Sequence, residues 1–161
     1  MKKWMSLVCL SLILCGCGAE ETFETIADEQ VLSVMASPRQ IALQLPEGTA
    51  APVLEGDGEQ VYVCENHEII LETLSAGDLK GTIRSICGYD KEDLTVMETQ
   101  WQDVTRYEFV WAAAGENGDR LGRAVILDDG QYHYYLSVLR DTEEKTDQTV
   151  WNQMFASFAL L

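Results

Sequence analysis

The sequence predicts an α+β fold, in which an antiparallel β-sheet is covered by a short helix and a C-terminal helix. Two turn signals, Asn117-Gly118 and Asp129-Gly130, separate long runs of strand-forming residues, and such dipeptides tolerate the positive φ of tight hairpins. Apolar residues repeat at helical spacing in two other stretches, residues 79–87 and 146–158. Hairpin-connected strands with one helix before them and one after them favour the α+β class.

The N-terminal seventeen residues have the layout of a secretory signal. Lys2 and Lys3 give a positive start, an apolar run follows at residues 4–14, and the small Gly16 precedes Cys17. This run is too short for a transmembrane helix, which needs about 20 apolar residues. A cleaved signal without lipidation is the alternative.

The end of this segment, Leu-Cys-Gly-Cys at residues 14–17, resembles the lipobox of bacterial lipoproteins. The resemblance implies cleavage before Cys17, a lipid on its thiol, and anchoring at the extracytoplasmic face of the cell membrane. The predicted organisation is therefore a signal peptide at residues 1–16, a lipidated cysteine with an acidic tether at 17–38, and one α+β domain at 39–161.

The charge of the processed chain is strongly negative. Cleavage would leave 145 residues, enough for one domain with a core, and would remove Lys2 and Lys3. Nine basic residues would then stand against 27 acidic ones, a net charge of −18. Because such a surface repels nucleic acid, no nucleic-acid partner is expected.

The first part of the domain is predicted to contain short strands. Apolar alternation indicates a strand at residues 41–45, and a Gly- and Pro-containing loop follows at 47–58. Two further strands, 61–64 and 68–74, are predicted on either side of a turn.

A short helix is predicted next. Asp78 can cap its free N–H groups, and Gly88 can end it in the left-handed conformation. The apolar face of this helix consists of Leu79, Ile83, Ile86 and Cys87.

The remaining strands are predicted at residues 94–101, 105–114, 120–128 and 131–140. With two-residue turns, the opposed pairs would be Trp111–Ala124, Phe109–Ile126 and Ile126–His133. One side of this meander would carry Tyr107, Phe109, Trp111, Ala124, Ile126, His133, Tyr135 and Leu139. The other would carry Glu108, Val110, Arg123, Val125, Leu127, Tyr132, Tyr134, Leu136 and Val138. Neither side is cleanly polar, so both are expected to be at least partly covered.

The C-terminal helix, residues 146–158, supplies an apolar stripe that should pack on the sheet as core: Trp151, Met154, Phe155 and Phe158. The element order of residues 39–161 and this closing pattern resemble the PsbP-like α/β/α sandwich domains, which include bacterial lipoproteins. Members of that group are mostly binding or assembly proteins, so the resemblance implies no catalytic residues.

Cys64 and Cys87 are the cysteines of the predicted domain. Outside the cytoplasm they could form a disulfide, although spacing alone does not bring their Cα atoms within bonding distance. A buried free thiol at Cys87, on the helix stripe, is the alternative.

The sequence contains no recognisable catalytic or metal-binding set. His67 is expected to be solvated in a turn, and His133 to be packed or hydrogen-bonded in a strand. With the cysteines they show no zinc spacing, and neither lies in a nucleophile motif. No catalytic residue, metal ligand or cofactor is therefore predicted.

Three functions are weighed on these grounds. The first is a non-catalytic, membrane-tethered domain that binds a protein or assembles at the envelope. The second is a small-ligand-binding lipoprotein, since Tyr and Trp side chains of the meander could line a pocket, although a core role explains them equally. An enzyme is the third.

Overall fold

The computed structural model describes residues 36–115, 118–142 and 148–161. The predicted signal peptide, Cys17 and the tether as far as residue 35 lie outside the described residues. The strands are β1 (Ile41–Ala42), β2 (Leu54–Gly56), β3 (Glu59–Val63), β4 (His67–Ser75), β5 (Met97–Trp101), β6 (Val104–Gly115), β7 (Gly118–Asp128), β8 (Tyr132–Asp141) and β9 (Ala159–Leu160). The helices are α1 (Leu79–Cys87) and α2 (Gln148–Ser157), with a 3₁₀ turn at Lys91–Asp93.

The main sheet has seven antiparallel strands in the order β2-β3-β4-β8-β7-β6-β5. A second sheet pairs β1 with β9, so residues near the start of the described chain hold its C-terminal end. The long strands β6, β7 and β8 form the predicted meander. Strand β4 joins them to β3 and β2.

This architecture corrects the predicted fold class. The fold is dominated by the sheet and is neither the predicted α+β sheet covered by two helices nor the α/β/α sandwich that the resemblance implied. Seven strands spaced about 4.8 Å apart make a sheet about 29 Å wide. The nine-residue α1 is only about 14 Å long and 10–12 Å wide, so it covers part of one face.

Two core clusters lie on opposite sides of the sheet. We call the side that packs against α1 the α1 face, and the side that packs against α2 the α2 face. The buried residues of the α1 face are Ile83, Phe109, Trp111, Ala124, Ile126 and Tyr135. Those of the α2 face are Tyr62, Ile69, Leu71, Val125, Leu127, Tyr134, Leu136, Val138, Trp151, Met154, Phe155 and Phe158.

The hairpin register differs from the prediction by two residues. The observed pairs are Phe109–Ala124, Trp111–Gly122 and Ile126–Tyr135. Because side chains alternate with period two, a shift of two residues keeps every side chain on its predicted face. The division of the meander into two faces is therefore confirmed, although the opposed pairs are wrong.

The position of the β7–β8 turn explains part of this shift. The backbone N–H of Asp129 donates to the carbonyl oxygen of Tyr132 at 3.3 Å, so Gly130 and Gln131 occupy the centre of the turn. Gly130 has a φ of +84°, which its lack of a Cβ makes inexpensive. The turn therefore lies one residue later along the chain than the Asp129-Gly130 signal predicted.

Helix α1 forms as its sequence predicts. The Asp78 side chain accepts a hydrogen bond from the backbone N–H of Lys80 at 3.2 Å. Gly88 ends the helix with a φ of +78°, and its N–H donates to the carbonyl oxygen of Arg84. Ile83 is completely buried on the α1 face.

Helix α2 is core, as predicted. Its apolar stripe is buried: Trp151, Met154, Phe155 and Phe158. Arg106 of β6 donates to the carbonyl oxygens of Phe155 and Phe158 at 3.0 and 3.4 Å, which satisfies acceptors left open where the helix ends. The guanidinium of Arg123 lies 4.3 Å from the Phe155 ring centroid.

Candidate functional site

The most catalytic-looking arrangement lies beneath α1. A hydrogen bond of 2.8 Å joins Thr82 Oγ1 to His133 Nδ1, and Asp128 Oδ2 lies 3.6 Å from His133 Nε2. Thr82 and His133 are 8% and 1% exposed, so neither side chain presents a reactive atom at the surface. This contact instead fastens α1 to β8, and it confirms that His133 is a packed, hydrogen-bonded histidine.

Two tyrosines of β8 carry perturbed pKa values for structural reasons. Burial raises the pKa of Tyr134 to about 12, and its hydrogen bond to Asp129 adds to the effect. Burial also raises the pKa of Tyr135, whose hydroxyl donates to Glu72. Both hydroxyls thus serve as neutral donors to carboxylates, Tyr134 to Asp129 and Tyr135 to Glu72.

The carboxylate of Asp129 is held in its charged form. Burial works to raise its pKa, but hydrogen bonds from the backbone N–H groups of Gln131 and Tyr132 and from the Tyr134 hydroxyl lower it below its usual value. The Tyr134 hydroxyl also accepts from the backbone N–H of Arg39 at 2.8 Å. This network secures the N-terminal segment of the domain to the β7–β8 turn.

The two cysteines are free thiols in different surroundings. Cys64 follows β3 and lines a small groove with Pro46, Thr49 and His67. Cys87 packs beside the core cluster of the α1 face, and its Sγ donates to the carbonyl oxygen of Ile83 at 3.1 Å. Burial raises the pKa of the Cys87 thiol, which disfavours the reactive thiolate.

The aromatic residues of the meander form no single pocket. Phe109, Trp111 and Tyr135 are buried on the α1 face, whereas Tyr134 is buried on the α2 face. These aromatic side chains are part of the core, which was the predicted alternative to a ligand pocket. The expectation for His67 was wrong: it begins β4 and its ring packs edge-on against Trp151, with centroids 4.8 Å apart.

Two open grooves flank the covers of the α2 face. One lies beside α2, has a volume of about 190 Å³, and is lined by Val110, Leu121, Arg123, Trp151, Asn152 and Phe155 among others. The other lies between residues 39–45 and the β2–β3 hairpin, with a volume of about 460 Å³. Its apolar lining consists of Ile41, Leu43, Leu45, Tyr62 and Leu71.

An exposed apolar surface lies on the α1 face, at the end of the sheet formed by β2, β3 and β4. Leu54, Val61 and Ile70 lie opposite one another on β2, β3 and β4, and Val63 continues the apolar surface along β3. Leu54 and Val63 are each 49% exposed, and Val61 and Ile70 are half-buried. We call these four residues the β2–β4 patch.

Carboxylates border the β2–β4 patch on the same face. Glu59 lies opposite Glu72, and Glu68 lies opposite Val63. Arg120 pairs with Glu68 at 3.2 Å, and Glu72 accepts from Tyr135. The patch is therefore apolar at its centre and acidic at its edge. The patch was not predicted, because residues 47–58 were expected to be a loop and Leu54 therefore had no place beside Val61.

Within the described residues, no three His, Cys, Asp or Glu side chains are grouped closely enough to hold a metal ion. None of the helices in residues 36–161 that the structure describes is long and apolar enough to cross a membrane.

No protein-family model matches the chain, and no curated protein matches it significantly.

Proposed function

We propose that this protein is a lipoprotein anchored through Cys17 at the extracytoplasmic face of the membrane, where its domain binds another protein without catalysing a reaction. The observation that carries the proposal is the β2–β4 patch. Apolar side chains that stay exposed on a sheet face forgo the favourable free energy of leaving water unless another surface packs on them. A partner would supply the cover that α1 is too short to give.

The border of the patch indicates the chemistry of the partner. Glu59 lies on the same face as its apolar centre, Glu68 is already paired with Arg120, and the whole chain carries a net charge of −16. When two proteins carry opposite charges around the apolar centres of their interface, they associate faster, and partners with like charges are disfavoured. The fitting partner is a protein segment with exposed apolar side chains flanked by Lys or Arg.

The anchor is tested by replacing Cys17 with alanine. The C17A variant should accumulate as unprocessed precursor and take up no labelled fatty acid, because the acceptor thiol is gone. The matched control is C15A, which keeps the thiol of Cys17 and should be processed and labelled normally. Labelling of C17A at the wild-type level would contradict the anchor.

The binding surface is tested with a photocrosslinking amino acid at Val63 in the full chain in intact membranes. We expect one adduct of discrete mass, with a yield that falls as salt is raised, because screening weakens attraction to a basic partner. A second substitution in the same chain, L54E, should reduce the yield about tenfold if it removes about 1.4 kcal/mol of binding free energy.

The matched control for that experiment places the crosslinker at Gln153, which is exposed on α2. Equal adduct yields with the crosslinker at Gln153 and at Val63 would count against the β2–β4 patch as the binding surface. An adduct yield at Val63 that L54E leaves unchanged would do the same.

The second candidate function is binding of a small apolar ligand. The groove beside residues 39–45 supports it, because its volume of about 460 Å³ falls in the range of ligand pockets and its lining combines Ile41, Leu43 and Leu45 with the polar Arg39 and Gln60. It ranks second because the groove is open to solvent on the α2 face.

A further inference from the structure

Among the described residues, strand β5 is an edge of the main sheet. It is the outermost strand beyond β6, and no described residue pairs with its outer side. All five of its residues are exposed, including Met97 at 59% and Trp101 at 76%. Natural edge strands are commonly blocked by charged side chains (Lys above all), Pro, a bulge or a covering segment; residues 97–101 include neither Lys nor Pro, and Glu98 is their one charged residue.

The sequence of β5 is complementary to itself when two copies run antiparallel. With Thr99 opposite Thr99 of the second copy, Met97 meets Trp101 and Glu98 meets Gln100. The first contact pairs two apolar side chains, and in the second the Gln100 amide can donate to the Glu98 carboxylate. Cross-strand apolar pairs and Thr–Thr pairs are both favourable in antiparallel sheets.

We infer that β5 pairs with β5 of a second copy of this chain, in a register centred on Thr99. The two sheets then form one continuous sheet of fourteen strands around a two-fold axis. The surface used is distinct from the β2–β4 patch, which lies at the opposite edge of the sheet. The inference therefore does not depend on the proposed partner.

Symmetry leaves few alternatives to this register. In an antiparallel pair, directly opposed residues lie on the same face of the sheet. A two-fold axis perpendicular to the sheet keeps the α2 faces of both copies on the same side. The axis must therefore pass between two copies of the same residue. Centring on Glu98 would place two carboxylates directly opposite each other, which is destabilising. With Gln100 on the axis, only residues 99–101 of β5 would lie opposite β5 residues of the second copy. Only the Thr99 register uses all five residues of β5.

The size and charge of the interface predict a weak dimer. Five residues a side bury far less than the roughly 1,600 Å² of a typical stable interface. Two chains of net charge −16 also repel each other, and salt screens this repulsion. Dimerisation should therefore strengthen as salt is raised, whereas binding of a basic partner should weaken. Anchoring both copies in one membrane would raise their effective concentration.

The register is tested by single cysteines in the full chain, expressed in membranes in a background with C64S and C87S. Oxidation followed by non-reducing electrophoresis should give about ten times more linked dimer for T99C than for E98C or Q100C alone. Directly opposed Cα atoms lie within disulfide reach, whereas diagonal positions about 7–8 Å apart lie at or beyond its limit. E98C and Q100C expressed together should also link.

The matched control is E55C, which is exposed on β2 at the other edge of the sheet. Equal linkage of T99C and E55C, or stronger linkage of E98C, would overturn the inference.

A second measurement does not depend on disulfide formation. Sedimentation of the detergent-solubilised full chain over a concentration series should show dimers that increase with salt. T99K, which places two like charges opposite each other on the two-fold axis, should sediment as monomer at every concentration. A monomeric wild-type chain across the whole series, or dimers of T99K equal to those of wild type, would also overturn it.

Discussion

Truncation after Asp141 is expected to abolish the cooperative melting transition of the domain. The truncation removes four large side chains that are buried on the α2 face: Trp151, Met154, Phe155 and Phe158. Burying each contributes roughly 1.5–3 kcal/mol, so their combined contribution matches the 5–15 kcal/mol by which a whole domain is stable. The truncated chain would also expose Val125, Leu136 and Val138. Circular dichroism during heating measures the result.

Single substitutions distinguish the effect of lost side-chain packing from the effect of removing residues 142–161. F155A should lower the free energy of unfolding by about 3–5 kcal/mol, because Phe155 is 1% exposed and its ring lies beneath Arg123. Q153A, two positions away on the exposed side of the same helix, should change it by about 0.5 kcal/mol or less. A truncated chain that melts cooperatively near the wild-type temperature would instead make α2 a detachable element.

The parts of the fold that were predictable are those fixed by local sequence. The ends of α1 follow from Asp78 and Gly88, whose capping and left-handed conformations need no tertiary contact. The two faces of the meander follow from alternation along each strand, which a register shift of two residues leaves intact. The stripe of α2 follows in the same way from its helical spacing.

The parts that were not predictable depend on distant segments. Strand β2 has only three residues, and it is a strand because it pairs with β3. Strand β9 has two residues and pairs with β1, at the other end of the described chain. No local pattern signals such pairings. The main sheet therefore includes β2, which was expected to be part of a loop, whereas β1 belongs to a second sheet with β9.

The candidate surfaces were hidden from the sequence for a related reason. Leu54 and Val63 are ordinary strand residues, and each is 49% exposed because neither packs against the core cluster of the α1 face. Trp101 is exposed because β5 is an edge, which only the strand order reveals. The lipobox resemblance, by contrast, lies in four consecutive residues, and the anchor that it implies stays a prediction.

Replacing Gly122 with alanine is expected to destabilise the domain by about 3 kcal/mol, at the upper end of the usual cost of overpacking. Gly122 lies opposite Trp111 on β7 and β6, and the indole ring covers the glycine. A Cβ at position 122 would lie 2.0 Å from Cε2 and 2.2 Å from Cζ2 of Trp111. The ring cannot easily move aside, because it is 8% exposed and packs against Phe109 with ring centroids 5.7 Å apart. Urea unfolding measures the change.

Two comparisons identify the cause of that loss. G56A is the matched control, since Gly56 is also a strand glycine but has open space where a Cβ would lie, so its stability should stay close to wild type. In a W111A background, G122A should cost little, because the ring it meets is absent, and the coupling between the two sites should be on the order of 1–3 kcal/mol. A wild-type unfolding midpoint for G122A would mean that Trp111 does not cover Gly122. It would then favour the register expected from the turn signals, in which Trp111 lies opposite Ala124.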